Sequence, residues 1–408
     1  MSATTDLSDP SLYSDGDPEA AWDGLRSHTP LAWIPREQGG YWAVTGYELA
    51  REVLRDHEHF SSEGGMRLDA DPRSVAASAG RMMIVTDPPR HRAIRRTMNS
   101  GFNPRTLRRI EASMRQVARA AIEEALERGE WDLVELASSL PVAVICDLLG
   151  VPEKDRAFML QATQAAFAVD EGSSSDPLDA VEAHTALLVY YSGLVRQRRK
   201  ETGDDVISAM INGSVDGAAL DDVEIYLNCD GLISGGNETT RHATVGGLLA
   251  LYGDPAQLRR LREDRSLIPG AVAEVLRWTS PALHVLRTAT CDYELAGQQI
   301  RQGQPVAVWI AAANRDGAVF ADPGVFRIDR PDNRHLSFAT GAHTCIGAAL
   351  ATAELQVMIE EMLDRVADLE PLGPPVRLRS NLIWGYRSAP VRVVALENPP
   401  PQSKDHQS

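Results

Sequence analysis

The chain has 408 residues, of which 43% are hydrophobic and 24% charged, and this composition excludes a disordered polymer, a collagen-like repeat and a coiled coil. Its 41 basic and 57 acidic residues give a net charge of −16, which argues against nucleic acid or an anionic membrane surface as a partner. The acidic N-terminus lacks the pattern of a signal peptide, and no run approaches the about 18 apolar residues of a membrane span. The four cysteines lack paired spacing, so we expect a cytoplasmic protein that neither carries disulfides nor binds membranes.

The first part of the chain alternates between predicted helix and loop. Polar residues 1–20 predict a flexible tail, and aromatic and β-branched residues at 41–46 predict a strand that leads into a helix. The Gly-, Ser- and Ala-rich segment 61–80 predicts a lid or binding loop. Periodic apolar positions predict mostly helix from 88 to 253, interrupted by a loop at 170–177.

The second part of the chain predicts a small β region and a final helix. Short segments between 280 and 333, punctuated by Gly, Pro and Asp, predict strands and an irregular meander, and 347–366 predicts a helix. The Pro-rich residues 398–408 predict a flexible C-terminal tail. Because no long linker or repeat divides residues 21–397, we expect one domain that is mainly α with a small β region.

The sharpest local feature is the segment FATGAHTCIG, which precedes the final predicted helix. Cys345 lies at the start of that helix, where unpaired N–H groups and the helix dipole favour a thiolate, the form that ligates soft metals. Gly341 and Gly347 would permit unusual dihedral angles and close approach of a flat cofactor, and Phe338 would shield the sulfur. The alternative is a buried structural cysteine beside a tight turn.

The same segment contains all five fixed positions of the pattern FxxGxHxCxG, and in this the chain resembles the cytochrome P-450 family. Ala339 and Ile346 depart from the Gly and Leu that the family usually has there. The resemblance covers about residues 9–394. It implies a single-domain cytochrome P-450 fold that encloses one haem b, with Cys345 as the axial thiolate ligand of the iron.

A second motif lies on a predicted helix ahead of the β region. Glu274 and Arg277 stand at i and i+3, the spacing of a side-chain ion pair, and a solvent-exposed helical pair is the alternative. The resemblance identifies this pair as the family's ExxR motif, with Arg330 as its third member. That implies a structural triad which supports the thiolate loop.

A third motif interrupts the long apolar helix predicted from about 223 to 252. Two adjacent glycines, at 235 and 236, cost about 1 kcal/mol each in a helix interior, so either ligand approach or a helix-packing notch must compensate. The resemblance implies that Thr239 hydrogen-bonds to iron-bound dioxygen and that Glu238 relays protons to it. We also expect the polar hydroxyl to open the helix locally for water.

The remaining haem contacts follow from the resemblance. His91 and Arg95 stand at i and i+4 after a proline-rich helix start, which by itself is equally typical of a generic basic helix. The resemblance implies that both bind a haem propionate, together with Arg287 and His343.

The implied activity is that of a monooxygenase, in which R–H, O2, two protons and two electrons give R–OH and water. We expect electrons from NAD(P)H to pass through a ferredoxin reductase and a ferredoxin to a monomeric enzyme. A ferredoxin or a carrier protein would dock on a cluster of arginines, or that cluster is an ordinary solvated face. The cluster consists of Arg90, Arg92, Arg96, Arg105, Arg108 and Arg109.

The substrate is expected to be a small organic molecule, and the wording GGNETTRHA favours natural-product tailoring such as β-hydroxylation of an amino acid bound to a carrier protein. The positions proposed for the pocket could equally belong to the core, and His284 would bind a polar substrate group. They are Met82, Met83, Ile84, Leu232, Gly236, Leu283, His284, Val285, Ile383 and Trp384. Two alternatives remain open: a haem-thiolate enzyme that uses peroxide or couples substrates oxidatively, and a noncatalytic haem sensor.

Overall fold

A computed structural model describes residues 5–37, 39–102, 104–167 and 177–397. Residues 170–176 of the predicted loop and the predicted tail at 398–408 lie outside these ranges. The described helices are α1 (Ser11–Ser14), α2 (Pro18–His28), α3 (Tyr47–Arg55), α4 (Pro72–Ser78), α5 (Arg90–Asn99), α6 (Pro104–Arg128), α7 (Leu133–Leu136), α8 (Ser139–Leu149), α9 (Arg156–Phe167), α10 (Pro177–Lys200), α11 (Val206–Asn212), α12 (Asp222–Tyr252), α13 (Pro255–Glu263), α14 (Ile268–Thr279), α15 (Ile310–Ala313) and α16 (Ala348–Arg365).

The strands form small sheets beside this helical body, as the sequence predicted. They are β1 (Leu31–Arg36), β2 (Gly39–Val44), β3 (Phe60–Ser61), β4 (Glu130–Asp132), β5 (His284–Ala289), β6 (Tyr293–Leu295), β7 (Gln298–Ile300), β8 (Pro305–Trp309), β9 (Val366–Pro371), β10 (Val376–Arg377), β11 (Tyr386–Ser388) and β12 (Pro390–Ala395). The largest sheet has the order β1-β2-β8-β5-β3, in which only the β2–β8 pair is parallel. A second sheet has the order β4-β12-β9.

The main core lies where α6, α8, α12, α14 and α16 pack together. On α6, for example, Ile110, Met114, Ala118 and Ile122 recur at intervals of four residues and are fully buried, because that spacing places them on one helix face. The long helix α12 begins at a capping box in which Asp221 and Glu224 bond each other's backbone N–H groups. This core positions α12 and α16, the helices that carry the predicted proton relay and follow the cysteine loop.

The N-terminal segment differs from its prediction. Residues 5–20 do not form a flexible tail, because Leu7 and Tyr13 are buried and the Tyr13 hydroxyl donates to the Leu7 carbonyl oxygen at 2.8 Å. The Tyr13 ring also stacks on Trp309, with ring centroids 6.0 Å apart. The sequence of this segment is polar overall, and its few apolar side chains find their partners only in the folded sheet region. None of the described helices combines the length and the apolar character that crossing a bilayer would require.

Candidate active site

The loop before α16 holds Cys345 in a defined conformation. The Cys345 N–H donates to the Phe338 carbonyl oxygen at 2.9 Å, and the Thr344 hydroxyl donates to the Gly341 carbonyl oxygen at 2.8 Å. Gly341 has a φ of 80° and packs so closely on the end of α3 that a Cβ atom would lie 2.7 Å from the Leu54 carbonyl oxygen. Glycine is therefore required at this position, both by its dihedral angle and by the space available.

The second motif glycine behaves differently from the expectation. Gly347 has an ordinary φ of −88°, and the nearest heavy atom to a Cβ built there is the Cys345 sulfur at 3.9 Å. The unusual dihedral angle belongs instead to Ala339, whose φ is 52°, in the left-handed region that costs a residue with a Cβ about 1–2 kcal/mol. The loop thus keeps the family's backbone shape where alanine replaces the usual glycine.

The thiol of Cys345 is exposed, yet surrounding protein raises its pKa by desolvation. The Gly347 N–H group and the Arg95 guanidinium act in the opposite direction without cancelling the effect. The expected lowering of this pKa at the helix start is therefore wrong for the protein without a metal. A thiol that is recessed and also accessible faces an interior cleft, which is where a metal ligand must lie.

Four basic side chains from separate parts of the chain converge beside this thiol. The rings of His91 and His343 lie with centroids 4.1 Å apart, and charge interactions link both histidines to Arg95 and Arg287. His91 comes from α5, Arg287 from β5 and His343 from the cysteine loop. The structure thus brings together all four residues that the resemblance assigned to haem propionates.

This basic cluster lacks the anions that its burial demands. Burial and the nearby guanidiniums lower the pKa of His91 to about 4 and that of His343 to about 2, and burial lowers the pKa of Arg287 to about 10. Both ring nitrogens of His91 are buried without a hydrogen-bond partner among the described residues. Unpaired buried donors and cations beside a cleft fit the two carboxylates of a haem. His343 is partly engaged, since its Nε2 atom lies 3.1 Å from the Ser62 hydroxyl.

The ExxR pair forms a buried ionic triad. Glu274 and Arg277 are both 0% exposed, and the guanidinium binds both carboxylate oxygens, at 2.7 and 2.8 Å. Arg330 adds a bond of 2.9 Å to Glu274, and Asn333 and the Arg327 N–H donate to the same carboxylate. Arg277 also donates to carbonyl groups of the meander at Asn314, Pro323 and Val325. The alternative of a solvent-exposed pair is therefore wrong, and the triad ties α14 to the meander ahead of the cysteine loop.

The glycine pair on α12 has two distinct roles. A Cβ atom at Gly236 would lie 2.6 Å from a side-chain carbon of Ile145 on α8, so this glycine forms a helix-packing notch. The Cβ direction of Gly235 points into open space, and the Thr239 hydroxyl donates to the Gly235 carbonyl oxygen at 2.7 Å. Gly235 therefore belongs to the open side of α12, and the placement of Gly236 in the substrate pocket is wrong. The helix continues through this point without the predicted opening.

Glu238 lies apart from this open side, in a buried ionic cluster. Its Oε1 atom accepts from Asn237 at 2.7 Å, its Oε2 atom is bound by Arg241, and the His242 Nε2 atom lies 3.6 Å from Oε2. Arg241 and His242 were missed in the sequence, although their i+3 and i+4 spacing from Glu238 is the signal that would have found them. The acid and the alcohol are thus neighbours in sequence with different surroundings.

Several proposed pocket residues lie in the core. Leu283 is fully buried, and Trp384 packs edge-on against Trp22 with centroids 5.2 Å apart. His284 accepts from the Leu68 N–H at Nε2 and donates from Nδ1 to the Asn381 carbonyl oxygen. These three side chains are enclosed by protein, so assigning them to a substrate pocket is wrong. His284 instead joins the loop at 61–80 to the C-terminal loop.

Other proposed pocket positions adjoin α12 or remain accessible. Met83 donates its N–H to Asn228 at 2.8 Å, and the Met82 side chain lies against Gly231, one turn before the glycine pair. Ile84 is 38% exposed. Leu232 and Val285 pack against the two main core clusters, and Ile383 pairs with Ala282 through an isolated bridge.

The arginine cluster is divided between paired and exposed side chains. Arg90 forms ion pairs with Asp216 and Glu224, so it is not available for docking. Arg92 and Arg96 are exposed on α5, and Arg92 lies beside His57, which follows α3. The cysteine loop contacts this end of α3. A cationic face therefore lies next to the loop. The other members, Arg105, Arg108 and Arg109, are exposed at the start of α6.

A recessed thiol, a buried basic cluster beside it and an acid and alcohol on a long core helix define the haem-thiolate class of oxygenase. Comparisons with known proteins agree with this class. The family model "Cytochrome P450" matches residues 178–367. Cytochrome P450 NovI from Streptomyces niveus is 36% identical over 95% of this chain and 96% of its own.

Two further relatives extend the comparison. The steroid C26-monooxygenase of Mycolicibacterium smegmatis is 35% identical over 95% of both chains. The crystal structure of P450 OxyD, which is involved in the biosynthesis of vancomycin-type antibiotics, superimposes with a TM-score of 0.88 at 36% identity and covers 96% of this chain and 100% of its own. The chain belongs to the cytochrome P450 family and is a monooxygenase of the single-domain P450 fold.

Proposed function

We propose that this monooxygenase hydroxylates a small organic substrate with O2 and with electrons delivered by a ferredoxin. The observation that carries the proposal is the convergence of His91, Arg95, Arg287 and His343 beside the accessible thiol of Cys345. Their chemistry matches that of haem b, which needs one thiolate for its iron and cations for its propionates. When bound, the haem iron ionises the thiol and supplies the chemistry that cleaves the O–O bond.

The chain's own residues then hold the reactants and supply protons. Thr239 presents its hydroxyl on the open side of α12 and is kept there by its bond to the Gly235 carbonyl. Glu238 is the nearest carboxyl group along the helix and acts as the proton donor that recharges this side. The buried triad of Glu274, Arg277 and Arg330 holds the meander, and through it the cysteine loop, in place.

The test of the cofactor assignment is a ferrous carbon monoxide spectrum. We expect the absorbance maximum that gives the family its name, which requires a thiolate ligand. Cys345→Ala is expected to lose this maximum, and His91→Leu, which removes a propionate donor without touching the thiol, is expected to retain it with weaker haem binding. An unchanged spectrum in Cys345→Ala would contradict the assignment.

The electron donor is proposed to dock on the exposed cations next to the cysteine loop. Arg92 and Arg96 are exposed there, beside His57 and near Arg55, and an acidic ferredoxin would be steered to them at low salt. Reversing the charge of Arg92 and Arg96 should slow reduction by ferredoxin about tenfold at low salt. The same change at Arg105 and Arg108, farther along the basic cluster, is the comparison. Equal rates for wild type and both variants would remove the docking proposal.

For the substrate we propose natural-product tailoring, with a carrier-bound amino acid as the specific candidate. NovI and OxyD support this direction, whereas the steroid C26-monooxygenase is a relative of equal similarity that favours a steroid. A screen for the low-to-high-spin shift with free amino acids, amino acids loaded on a carrier protein, and cholesterol separates the two. A shift with cholesterol alone would contradict the tailoring proposal. Isotopically labelled O2 then distinguishes oxygen insertion from oxidative coupling.

A further inference from the structure

The carboxylate of Glu238 is held asymmetrically. Oε2 is bound by Arg241 and faces the His242 Nε2 atom at 3.6 Å, whereas Oε1 accepts only from the Asn237 amide among the bonds described, at 2.7 Å. Two donors at one oxygen concentrate the negative charge there. A proton carried by this group is therefore carried by Oε1, opposite the two donors.

The hydrogen-bond network decides which nitrogen of His242 faces Glu238. The Nδ1 atom accepts from the Tyr386 N–H at 3.4 Å. A neutral imidazole has one donor and one acceptor nitrogen, so the hydrogen lies on Nε2 and points toward the carboxylate. The ring is 1% exposed, which leaves it little freedom to turn away.

The fold makes room for this ring at one place. A Cβ atom on Gly385 would overlap the His242 ring, although Gly385 has no positive φ that would require glycine for its backbone. The missing side chain at 385 is therefore explained by the imidazole that packs against it. This is an observation on a different segment, independent of the Glu238 contact, that His242 has a seat built for it.

We propose that His242 is a positioning residue for the monooxygenase reaction: its Nε2–H group holds Oε2 of Glu238 and leaves Oε1 to carry the proton. This inference rests on the proposed role of Glu238 as proton donor. Arg241 alone could hold the charge, but it binds from within the same helix turn. His242 adds a second direction, set by Gly385 and Tyr386, and so fixes the orientation of the carboxylate.

The experiment uses the haem-loaded enzyme with a surrogate ferredoxin and reductase, and O2 itself as the probe. The readouts are NADPH consumption, the ratio of peroxide to water formed, and the solvent isotope effect in D2O, which a merely structural role would not change. His242→Phe is expected to slow NADPH consumption about tenfold and to raise the share of peroxide. His242→Gln, whose amide reaches the same position as Nε2, is expected to stay within about twofold of wild type.

Controls keep the two proposals distinguishable. Thr244→Val removes a buried hydroxyl from the same helix that bonds only to the Thr240 carbonyl, and it should leave the ratio unchanged. If His242→Phe fails to fold, Gly385→Ala displaces the ring without removing it and should give the same peroxide increase. If Glu238→Gln shifts the ratio and His242→Phe does not, the inference on His242 is overturned while the role of Glu238 stands.

Two other outcomes also decide the matter. If Glu238→Gln leaves the ratio unchanged, the proposed role of Glu238 is overturned, and the positioning role falls with it. If His242→Gln is as impaired as His242→Phe, a positioned donor does not suffice and the positioning role is overturned.

Discussion

The buried triad around Glu274 gives the sharpest prediction about stability. In Glu274→Gln, the carboxylate that accepts from Arg277, Arg330, Asn333 and the Arg327 N–H becomes a neutral amide with a single acceptor oxygen. The amide NH2 group then faces donors, and the fully buried guanidinium of Arg277 loses its anion. A buried ion pair broken on one side costs about 3–5 kcal/mol.

That cost is a large share of the about 5–15 kcal/mol that typically separates a folded domain from its unfolded chain. We therefore expect Glu274→Gln to lower the free energy of unfolding by about 4 kcal/mol and to reduce haem content as the meander loosens. Urea titration followed by circular dichroism measures the first effect, and the absorbance of the purified protein measures the second.

The matched control is Glu124→Gln. Glu124 pairs with Arg128 on α6, and both side chains are more than half exposed, so its loss should cost less than about 0.5 kcal/mol. A cost below about 1 kcal/mol for Glu274→Gln would refute the argument, because a buried guanidinium would then tolerate the loss of its anion.

Two further predictions concern the cysteine loop and His284. Gly341→Ala should destabilise the protein by about 2 kcal/mol or more and lower haem content, because both its φ and the Leu54 carbonyl oppose a Cβ, whereas Gly347→Ala should cost less in the same urea titration. Equal effects of the two changes would contradict the loop geometry. Burial lowers the pKa of His284 from 6.5 to about 4, so the unfolded chain takes up the proton first as the pH falls. Stability should therefore drop by about 3 kcal/mol between pH 6.5 and 4 on this account. Urea titrations across that range should show a shallower drop for His284→Gln, and parallel curves would refute the assignment.

The sequence by itself determined the features that depend on local spacing. The positions of Cys345 and of the i, i+3 pair Glu274 and Arg277 follow from one loop and one helix turn, so the motif and the ion pair were predicted before any tertiary contact was known. The helical body and the small β region were also predicted, because periodicity is written in consecutive residues. The glycines at 341 and 347 looked equivalent in the motif.

Only the tertiary structure decided what faces those features. It distinguishes Gly341 from Gly347 through the end of α3, a segment almost 300 positions away along the chain. It places His284 between two distant loops and removes it from the pocket, and it buries Leu7 and Tyr13 against the sheet region. The physical reason is the same in each case: burial and hydrogen bonding depend on segments that are far apart in sequence, and local patterns carry no record of which segments meet.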